Sequence, residues 1–278
     1  MFEGRKLVIS TKHQKEQVLG PLLERALGVQ TFVPENLDTD QLGTFSGEVL
    51  RLDDPLTTAR KKCLLAIELT GCDLAVASEG SFGAHPSAFF LPANEEWLIF
   101  LDQKNQLEIF ARHLSTDTNF GGQEFRSLEE LREFAQKTLF PSHGLILRPG
   151  PERSEELFKG ITEPQLLEEK AHYLLKKYGS AYAETDMRAF LNPSRMNVIR
   201  ETAEKLVEKI QSSCPACHMP GFSVTQVDPG LPCEWCGWPT RSILAHHLTC
   251  AHCDYRQKVS NPHGKSFEDP MYCDRCNP

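Results

Sequence analysis

Long apolar runs are missing from this sequence. A membrane-spanning helix needs roughly 18 consecutive apolar residues, and no stretch approaches that length. The apolar run near the start covers only residues 7–9, which is too short for the core of a signal peptide, and no small-residue cleavage site follows it. We therefore expect a cytoplasmic protein without a membrane partner.

Basic residues are also scarce. The chain has 30 lysines and arginines against 38 aspartates and glutamates, a formal net charge of −8. Such an acidic chain is poorly suited to a main function of binding the phosphate backbone of nucleic acids. The composition is otherwise that of an ordinary globular protein, with 40% hydrophobic and 24% charged residues. Its 278 residues are enough for two domains, or for one large domain with an appendage.

Cysteine is nearly absent from the first three-quarters of the chain, where only Cys63 and Cys72 occur. The other eight of the ten cysteines form four Cys-x2-Cys pairs: Cys214 and Cys217, Cys233 and Cys236, Cys250 and Cys253, and Cys273 and Cys276. In a reducing cytosol such pairs hold metal more often than they form disulfides, and four regular pairs suit zinc better than an iron–sulfur cluster. Four thiolate ligands leave no open position for a substrate. The pattern predicts two structural Zn2+ ions.

The sequence leaves open how the four cysteine pairs combine. Fifteen residues separate the first pair from the second, and nineteen separate the third from the fourth. Both spacings fit zinc ribbons built from consecutive pairs, but a crossed arrangement of first with third and second with fourth also fits. From Ser213 onward five basic residues stand against six acidic ones. This module is therefore expected to contact a protein partner, and nucleic acid is not favoured.

The apolar periodicity over residues 1–150 predicts an α/β domain with a mixed sheet. Short apolar segments predict strands, and segments with helical spacing, each followed by a glycine, predict helices. The strands are predicted at residues 6–10, 30–33 and 73–77, and the helices at residues 14–27 and 55–70. Alternating segments between residues 88 and 114 indicate an antiparallel meander, and the capping box from Ser127 to Glu130 indicates a further helix.

Pro149-Gly150-Pro151 indicates a boundary between modules. Beyond it, residues 151–212 are expected to form a helical connector with helices at 152–158, 164–178 and 193–211. Residues 213–278 are expected to form a double zinc ribbon. The sequence thus predicts an α/β domain, a helical connector and a metal-built module.

Three polar stretches of the α/β domain are candidates for chemistry. The first is the turn of Thr11 and Lys12 after the first strand, followed by Lys15 on the first turn of the helix. A hydroxyl, a lysine and the free N–H groups at a helix start favour the binding of an anion. The second has Glu48 in a glycine-containing loop, ahead of Lys61 on the next helix. The third is the strand after Asp73, which we expect to end in a loop at residues 78–83 that contains Glu79, where ligands of open sheets bind.

These stretches together resemble the inosine triphosphate pyrophosphatase-like superfamily, which includes the Maf-type proteins. The resemblance covers about the first 150 residues and rests on the order of the turn, the acidic residue, the Ala-Arg-rich helix and the acidic glycine-containing strand end. It implies a mixed sheet with a cleft, Mg2+ held by carboxylates, and cleavage of a nucleoside triphosphate to monophosphate and pyrophosphate.

The resemblance assigns roles to individual residues. Thr11, Lys12 and Lys61 would contact phosphate. The carboxylates of Glu48, Asp73 and Glu79 would hold the metal and form the catalytic set. The sequence departs from the superfamily in one respect, because a single carboxylate, Glu79, stands where the superfamily has two adjacent aspartates. As a whole, the chain also resembles an uncharacterised bacterial family of unknown function, which implies no activity.

Residues 184–195 form a further polar stretch ahead of a predicted helix. Arg188 and Arg195 could close over a bound phosphate. Alternatively, Asn192 or Ser194 caps the helix and the arginines pair with glutamates.

The leading hypothesis is a protein that binds a nucleotide or another phosphorylated small molecule, with metal-dependent pyrophosphohydrolase activity. The rival hypothesis is a non-catalytic zinc-ribbon adaptor for a protein or nucleic-acid partner.

Overall fold

A computed structural model describes residues 1–37, 53–153 and 155–278, and shows a mixed α/β protein. The chain divides into two compact units. Unit 1 comprises Met1–Leu101 and Phe110–Leu206, and unit 2 comprises Asp102–Ile109 and Val207–Pro278. None of the helices in the described parts of the chain is long and apolar enough to cross a membrane.

The first sheet of unit 1 has the strand order β2-β1-β3-β4-β5. Its strands are β1 (Lys6–Ser10), β2 (Gln30–Phe32), β3 (Leu74–His85), β4 (Ala88–Asp102) and β5 (Leu107–Ser115). Strand β1 pairs in parallel with β2 and β3, and its register with β3 runs from Leu7 opposite Leu74 to Ser10 opposite Ala77. The predicted mixed sheet and its opening β-α-β unit are confirmed.

The first two helices are α1 (Glu16–Leu27) and α2 (Pro55–Thr70). Each ends as predicted at a glycine with left-handed backbone, Gly28 or Gly71, whose N–H bonds back to the last helical turn. The Asp54 side chain begins α2 by accepting hydrogen bonds from two backbone N–H groups. Cys63 lies fully buried on the inner face of α2, which confirms it as a core residue.

Strand β3 extends eight residues beyond its predicted end. The expected loop at residues 78–83 is part of the strand, because β4 pairs with β3 on one side. Only residues 86 and 87 connect the two strands, and so short a connection requires an antiparallel hairpin. The expectation that Glu79 stands in a glycine-flanked loop is therefore wrong.

The second sheet of unit 1 has the order β6-β9-β7-β8, and its pairs are antiparallel. Its strands are β6 (Gly122–Phe125), β7 (Leu145–Arg148), β8 (Phe158–Ile161) and β9 (Ala181–Thr185), and helices α3 (Leu128–Lys137) and α4 (Pro164–Tyr178) accompany it. Apolar residues of both helices, including Leu131, Phe134 and Leu174, form one core with the sheet. The predicted cap of α3 is present, since the Ser127 hydroxyl accepts from the Glu130 N–H.

Residues 151–212 differ from the expected helical connector. They contain α4 and α5 (Pro193–Gln211) with the predicted bounds, but also β8 and β9, which pair with β7 from the preceding segment. The described residues between 152 and 157 form no helix. Pro149-Gly150-Pro151 lies in the connection from β7 to β8, inside one sheet, so its turn chemistry does not mark a module boundary.

Unit 2 contains a three-stranded antiparallel sheet in the order β10-β11-β12. The strands are β10 (Ser223–Pro229), β11 (Ile243–Thr249) and β12 (Arg256–Ser260). The four cysteine pairs lie in the segments before, between and after these strands, and the first cysteine of each pair is buried whereas the second is more accessible. The carboxyl-terminal module is thus a small sheet flanked by cysteine turns.

Candidate metal centres and a buried polar site

The eight cysteines of unit 2 form two groups with crossed pairing. Both groups take alternate pairs of the sequence: Cys214, Cys217, Cys250 and Cys253 form the first centre, and Cys233, Cys236, Cys273 and Cys276 form the second. Of the two arrangements that the sequence left open, the structure shows first with third and second with fourth. Two consecutive zinc ribbons are therefore not formed.

The strand register explains this pairing. The first cysteine pair precedes β10 and the third follows β11, and the antiparallel register places Ser223 opposite Thr249, so both pairs lie at one end of the hairpin. The second pair lies in the connection from β10 to β11, at the opposite end. A bridge between Cys233 and Glu268 brings the last segment, with the fourth pair, to that end. Each group of four cysteines thus lies at one end of the sheet.

The sulfur positions fit a tetrahedral metal. In the first centre Cys214 and Cys253 have sulfurs 3.8 Å apart, and Cys217 and Cys250 have sulfurs 3.6 Å apart. The corresponding distances in the second centre are 3.9 and 3.7 Å. Zinc–sulfur bonds of about 2.3 Å at tetrahedral angles place the sulfurs about 3.8 Å apart, whereas a disulfide needs about 2.05 Å. The two groups could each hold a metal ion, and their ligand set suits zinc.

The thiol pKa values show why a cation suits each centre. Burial acts to raise the pKa of Cys214, but N–H groups of Cys217 and Ala216 bring it down to about 7. In the second centre a hydrogen bond with the Cys236 sulfur, together with burial, raises the pKa of Cys276 to about 12. Clustered sulfurs cannot all ionise alone. A bound divalent ion would supply the charge that four thiolates require.

The second candidate site lies in unit 1, where β1 ends at Ser10 beside Ala77 of the longer strand β3, and we call this place the crevice. The chain leaves β1 towards β2 on one side and leaves β3 towards β4 on the other, which makes this crevice a topological switch point. Lys15, at the start of α1, lies buried here with its Nζ 2.8 Å from the Ser78 Oγ. Burial, and after it the charge of Arg195, lowers the pKa of Lys15 to about 7.

A fully buried ion pair stands beside Lys15. The Arg195 Nε donates to the Glu96 Oε1 at 2.7 Å, and both side chains are completely inaccessible to solvent. The Arg195 Nη1 donates to the Met187 carbonyl. Gly80 makes room for the pair, because a Cβ there would lie 2.6 Å from the Arg195 Nη2 and closer still to the Glu96 Oε1.

Two buried polar groups on β4 extend this site. Asn94 is fully buried, and neither its amide nitrogen nor its amide oxygen has a hydrogen-bond partner within the described chain. The same is true of the Glu96 Oε2. Asn94 and Glu96 are two residues apart on a strand and therefore point to the same face of the sheet. Buried polar atoms without a protein partner are suited to form hydrogen bonds with an ordered water molecule or a ligand.

The opposite face of the sheet carries a second ion pair. Lys62 of α2 pairs with Glu79 of β3, and both side chains are largely buried. Both groups contribute to the electrostatic environment of Lys15. Five charged side chains thus surround this part of the sheet: Lys15, Arg195 and Glu96 lie on one face, and Lys62 and Glu79 lie on the other.

The structure brings some of the predicted site residues together and separates others. Thr11 is buried at the end of β1, and its Oγ1 accepts from the His13 N–H, whereas Lys12 is exposed on the same turn. Lys61 is half exposed and pairs with Asp53, on a different side of α2 from Lys62. Of these two lysines, Lys62 is the one that lies near Lys15, and the phosphate contact of Lys61 stays a prediction.

The predicted carboxylate set is not assembled as expected. Asp73 stands directly before β3 and pairs with Arg5 at 2.9 Å, and a strand rise of about 3.3 Å per residue places it about 20 Å from Glu79. Glu48 lies outside the described residues. Of the three carboxylates, Glu79 is the one that the structure places at the crevice.

The two arginines of the 184–195 stretch are held by carboxylates of the protein itself. Arg188 donates to Asp186 through its Nε at 3.0 Å and its Nη2 at 2.6 Å. Arg195 pairs with Glu96, and the Asn192 Oδ1 caps α5 by accepting from the Arg195 N–H at 2.9 Å. Asn192 therefore caps the helix as the capping alternative predicts, and a phosphate contact of Arg188 or Arg195 stays a prediction.

Sequence reasoning misses Lys62, Asn94 and Glu96, and it mentions Lys15 only as part of the first turn of α1, without a role of its own. Lys15 lies about one turn along from Lys12 at the same helix start, and Lys62 lies one residue from Lys61. Asn94 and Glu96 stand two residues apart, just before the apolar segment 97–101 of β4, and this spacing is the signal that could have found them. No local signal links Glu96 to Arg195, because they meet only through the fold.

Comparisons with known proteins give a family. A family model described as Domain of unknown function (DUF6671) matches residues 62–278. Among solved structures, the protein VC0702 from Vibrio cholerae is similar, with 12% identity, a TM-score of 0.32, and coverage of 74% of this chain and 94% of that chain. No curated protein matches the chain. Since the family model spans more than three-quarters of the sequence, the chain belongs to the DUF6671 family, a family of unknown function.

Proposed function

We propose that unit 1 binds a phosphorylated small molecule, with a nucleotide as the leading candidate, in the crevice between β1 and β3. The observation that carries this proposal is Lys15, a buried amine that lies 2.8 Å from the Ser78 hydroxyl at the switch point of an open sheet. A ligand there would meet a hydroxyl, an amine and the N–H groups that begin α1, which are the groups that bind phosphate in such crevices.

The electrostatics of the crevice support an anion. Burying the Lys15 ammonium is unfavourable, as its lowered pKa shows. A bound phosphate would supply the missing counter-charge and a hydrogen-bond acceptor, so Lys15 would take up a proton as the ligand binds. Glu96 is already paired with Arg195, and Glu79 with Lys62, so neither carboxylate is directed at Lys15 alone.

Pyrophosphohydrolysis is the activity proposed for this site. It would need Mg2+, and Glu79 would have to exchange its Lys62 partner for the metal. The ion would neutralise phosphate charge and activate water when bound, while Lys15 would hold the phosphate. The two four-cysteine centres of unit 2 would hold structural zinc, because four thiolates leave no position for a substrate.

A nucleotide panel tests the proposal. Zinc-loaded protein is incubated with nucleoside triphosphates and Mg2+, pyrophosphate release is measured, and binding is followed in parallel by thermal shift. We expect at least one nucleotide to stabilise the protein, with the shift lost in Lys15→Met and kept in Lys137→Met, which changes an exposed lysine of α3. Turnover that is lost in Glu79→Gln would establish the hydrolase. Neither stabilisation nor turnover with any nucleotide would contradict the proposal.

The second candidate function is a protein-binding adaptor, favoured by the surface of unit 2. Large apolar side chains next to the second metal centre are exposed, including Trp235, Phe267 and Tyr272. Such side chains are enriched at the centres of protein interfaces. On this hypothesis, Trp235→Ser abolishes partner binding while the zinc content stays at about two ions per chain. A partner that binds this variant as well as the wild type would contradict it.

A further inference from the structure

A protruding arm of unit 1 is strongly apolar and exposed. The arm, residues 83–92, is formed by the end of β3, the turn at Pro86 and Ser87, and the start of β4. Phe89 is 79% exposed, Phe90 is 83% exposed, and Leu91 is 41% exposed. Successive residues of a strand point to opposite faces, so neither face of the arm is covered by unit 1. Three adjacent apolar side chains of this size indicate an interaction surface.

The strand edges of the arm are also open. The pairing of β1 with β3 ends at Ser10 and Ala77. Strand β5 follows β4 after the turn at residues 103–106 and ends at Ser115. If the two strands pair regularly from that turn, Ser115 lies opposite Asn94 of β4. Beyond these points the described chain supplies no third strand, and the arm is a two-stranded ribbon. A ribbon of this kind is only marginally stable in water unless something packs against it.

The charge of the arm favours a second copy of the same chain as its partner. Residues 83–92 contain no aspartate, glutamate, lysine or arginine, although 24% of the chain is charged. Proteins usually protect exposed strand edges with charges, and this one does not. Two copies with a net charge of −8 each repel one another over most of their surfaces, but not where neutral arms meet. An acidic or basic partner would instead call for complementary charges.

We propose that the arms of two copies pack against each other around a two-fold axis and form a homodimer. The same surface is used by both copies, as a closed two-fold interface requires. Phe89, Phe90 and Leu91 of each copy are buried at this interface, which also covers the open edges of the ribbon.

The mass of the full-length, zinc-loaded protein in solution tests this proposal. We expect sedimentation equilibrium at micromolar concentration to give about 63 kDa, twice the 31.4 kDa of one chain. The Phe89→Ser, Phe90→Ser double variant is expected to weaken the dimer by about a hundredfold or more and to sediment as a monomer. The matched control is Leu64→Ser, Leu65→Ser, which changes two adjacent, exposed leucines of α2 and should stay dimeric.

Circular dichroism and zinc content show whether each variant is folded, and Phe89→Lys provides a second test because like charges would meet at the axis. Retention of the wild-type dimer by both arm variants would overturn the proposal. A wild-type protein that remains monomeric up to about 100 µM, near the weak end of specific association, would overturn it as well.

Discussion

Arg195 and Glu96 are 99 residues apart in the sequence and form an ion pair with a 2.7 Å separation of Nε and Oε1, in which neither side chain reaches solvent. The pair joins the first turn of α5 to the middle of β4, beside the amine of Lys15. A buried pair depends on both partners, because a single charge left in such surroundings is strongly unfavourable.

Removing one partner of this pair should therefore destabilise unit 1 severely. We expect Arg195→Met to lower the free energy of unfolding by roughly 3–5 kcal/mol, because the Glu96 carboxylate is left without its cation. The Glu96→Met, Arg195→Met double variant should recover most of this loss. Urea unfolding followed by circular dichroism measures both. If the single and the double variant lose the same free energy of unfolding, the unpaired charge of Glu96 is not the cause of the loss, and the prediction is wrong.

Gly80 should tolerate no side chain. In Gly80→Ala the new Cβ would lie within 2.6 Å of both members of the Arg195–Glu96 pair, and we expect a loss of about 1–3 kcal/mol in the free energy of unfolding. Gly83→Ala is the matched control, since a Cβ at Gly83 meets nothing within 4 Å. Thermal unfolding of the two variants compares them. Similar melting temperatures would contradict the close approach at Gly80.

The crossed metal pairing gives a prediction in zinc content. The Cys214→Ser, Cys250→Ser variant changes ligands of one centre and should keep about one zinc ion per chain, whereas Cys214→Ser, Cys233→Ser changes both centres and should lose both. Consecutive zinc ribbons would give the opposite result for the second variant, which would keep one ion. Elemental analysis of carefully reduced protein decides between them.

Lys15 should make the stability of the protein depend on pH. Its pKa is about 7 in the folded protein and near its ordinary value of 10.5 in the unfolded chain. Between these values the unfolded chain binds more protons, so stability rises with pH, and below pH 7 the full cost of the buried charge is present. Lys15→Met removes this cost. Its gain in melting temperature over the wild type should be largest at pH 6 and should vanish towards pH 10.

Local chemistry makes much of the fold predictable. Helix α2 has its predicted bounds because Asp54, Pro55 and Gly71 encode its start and end within a few residues. Helices α4 and α5 also have their predicted bounds, and each begins at a proline. The eight clustered cysteines are equally predictable as candidate metal ligands, because Cys-x2-Cys is a local pattern with a specific chemistry.

What stays hidden in the sequence depends on register and on distant contacts. Adjacent helical residues differ in direction by about 100°, so the sequence alone could not choose between Lys61 and Lys62 for the crevice. The crossed pairing follows from the alignment of Ser223 with Thr249, which no spacing between cysteines reveals. Strand β8 escapes prediction because Phe158–Ile161 contains only two large apolar residues and a glycine, and forms a strand only against β7.

Anion binding that depends on Lys15 is the central claim, and calorimetric titration with inorganic pyrophosphate at pH 6.5 and pH 8.5 tests it most directly. Because the pKa of Lys15 is about 7, we expect wild-type affinity to fall by about tenfold or more at the higher pH, although pyrophosphate itself gains charge. Lys15→Met should bind weakly at both pH values, and Lys137→Met, a change on the exposed side of α3, should behave like the wild type. Equal affinity of Lys15→Met and wild type, or wild-type affinity that rises with pH, would contradict the account.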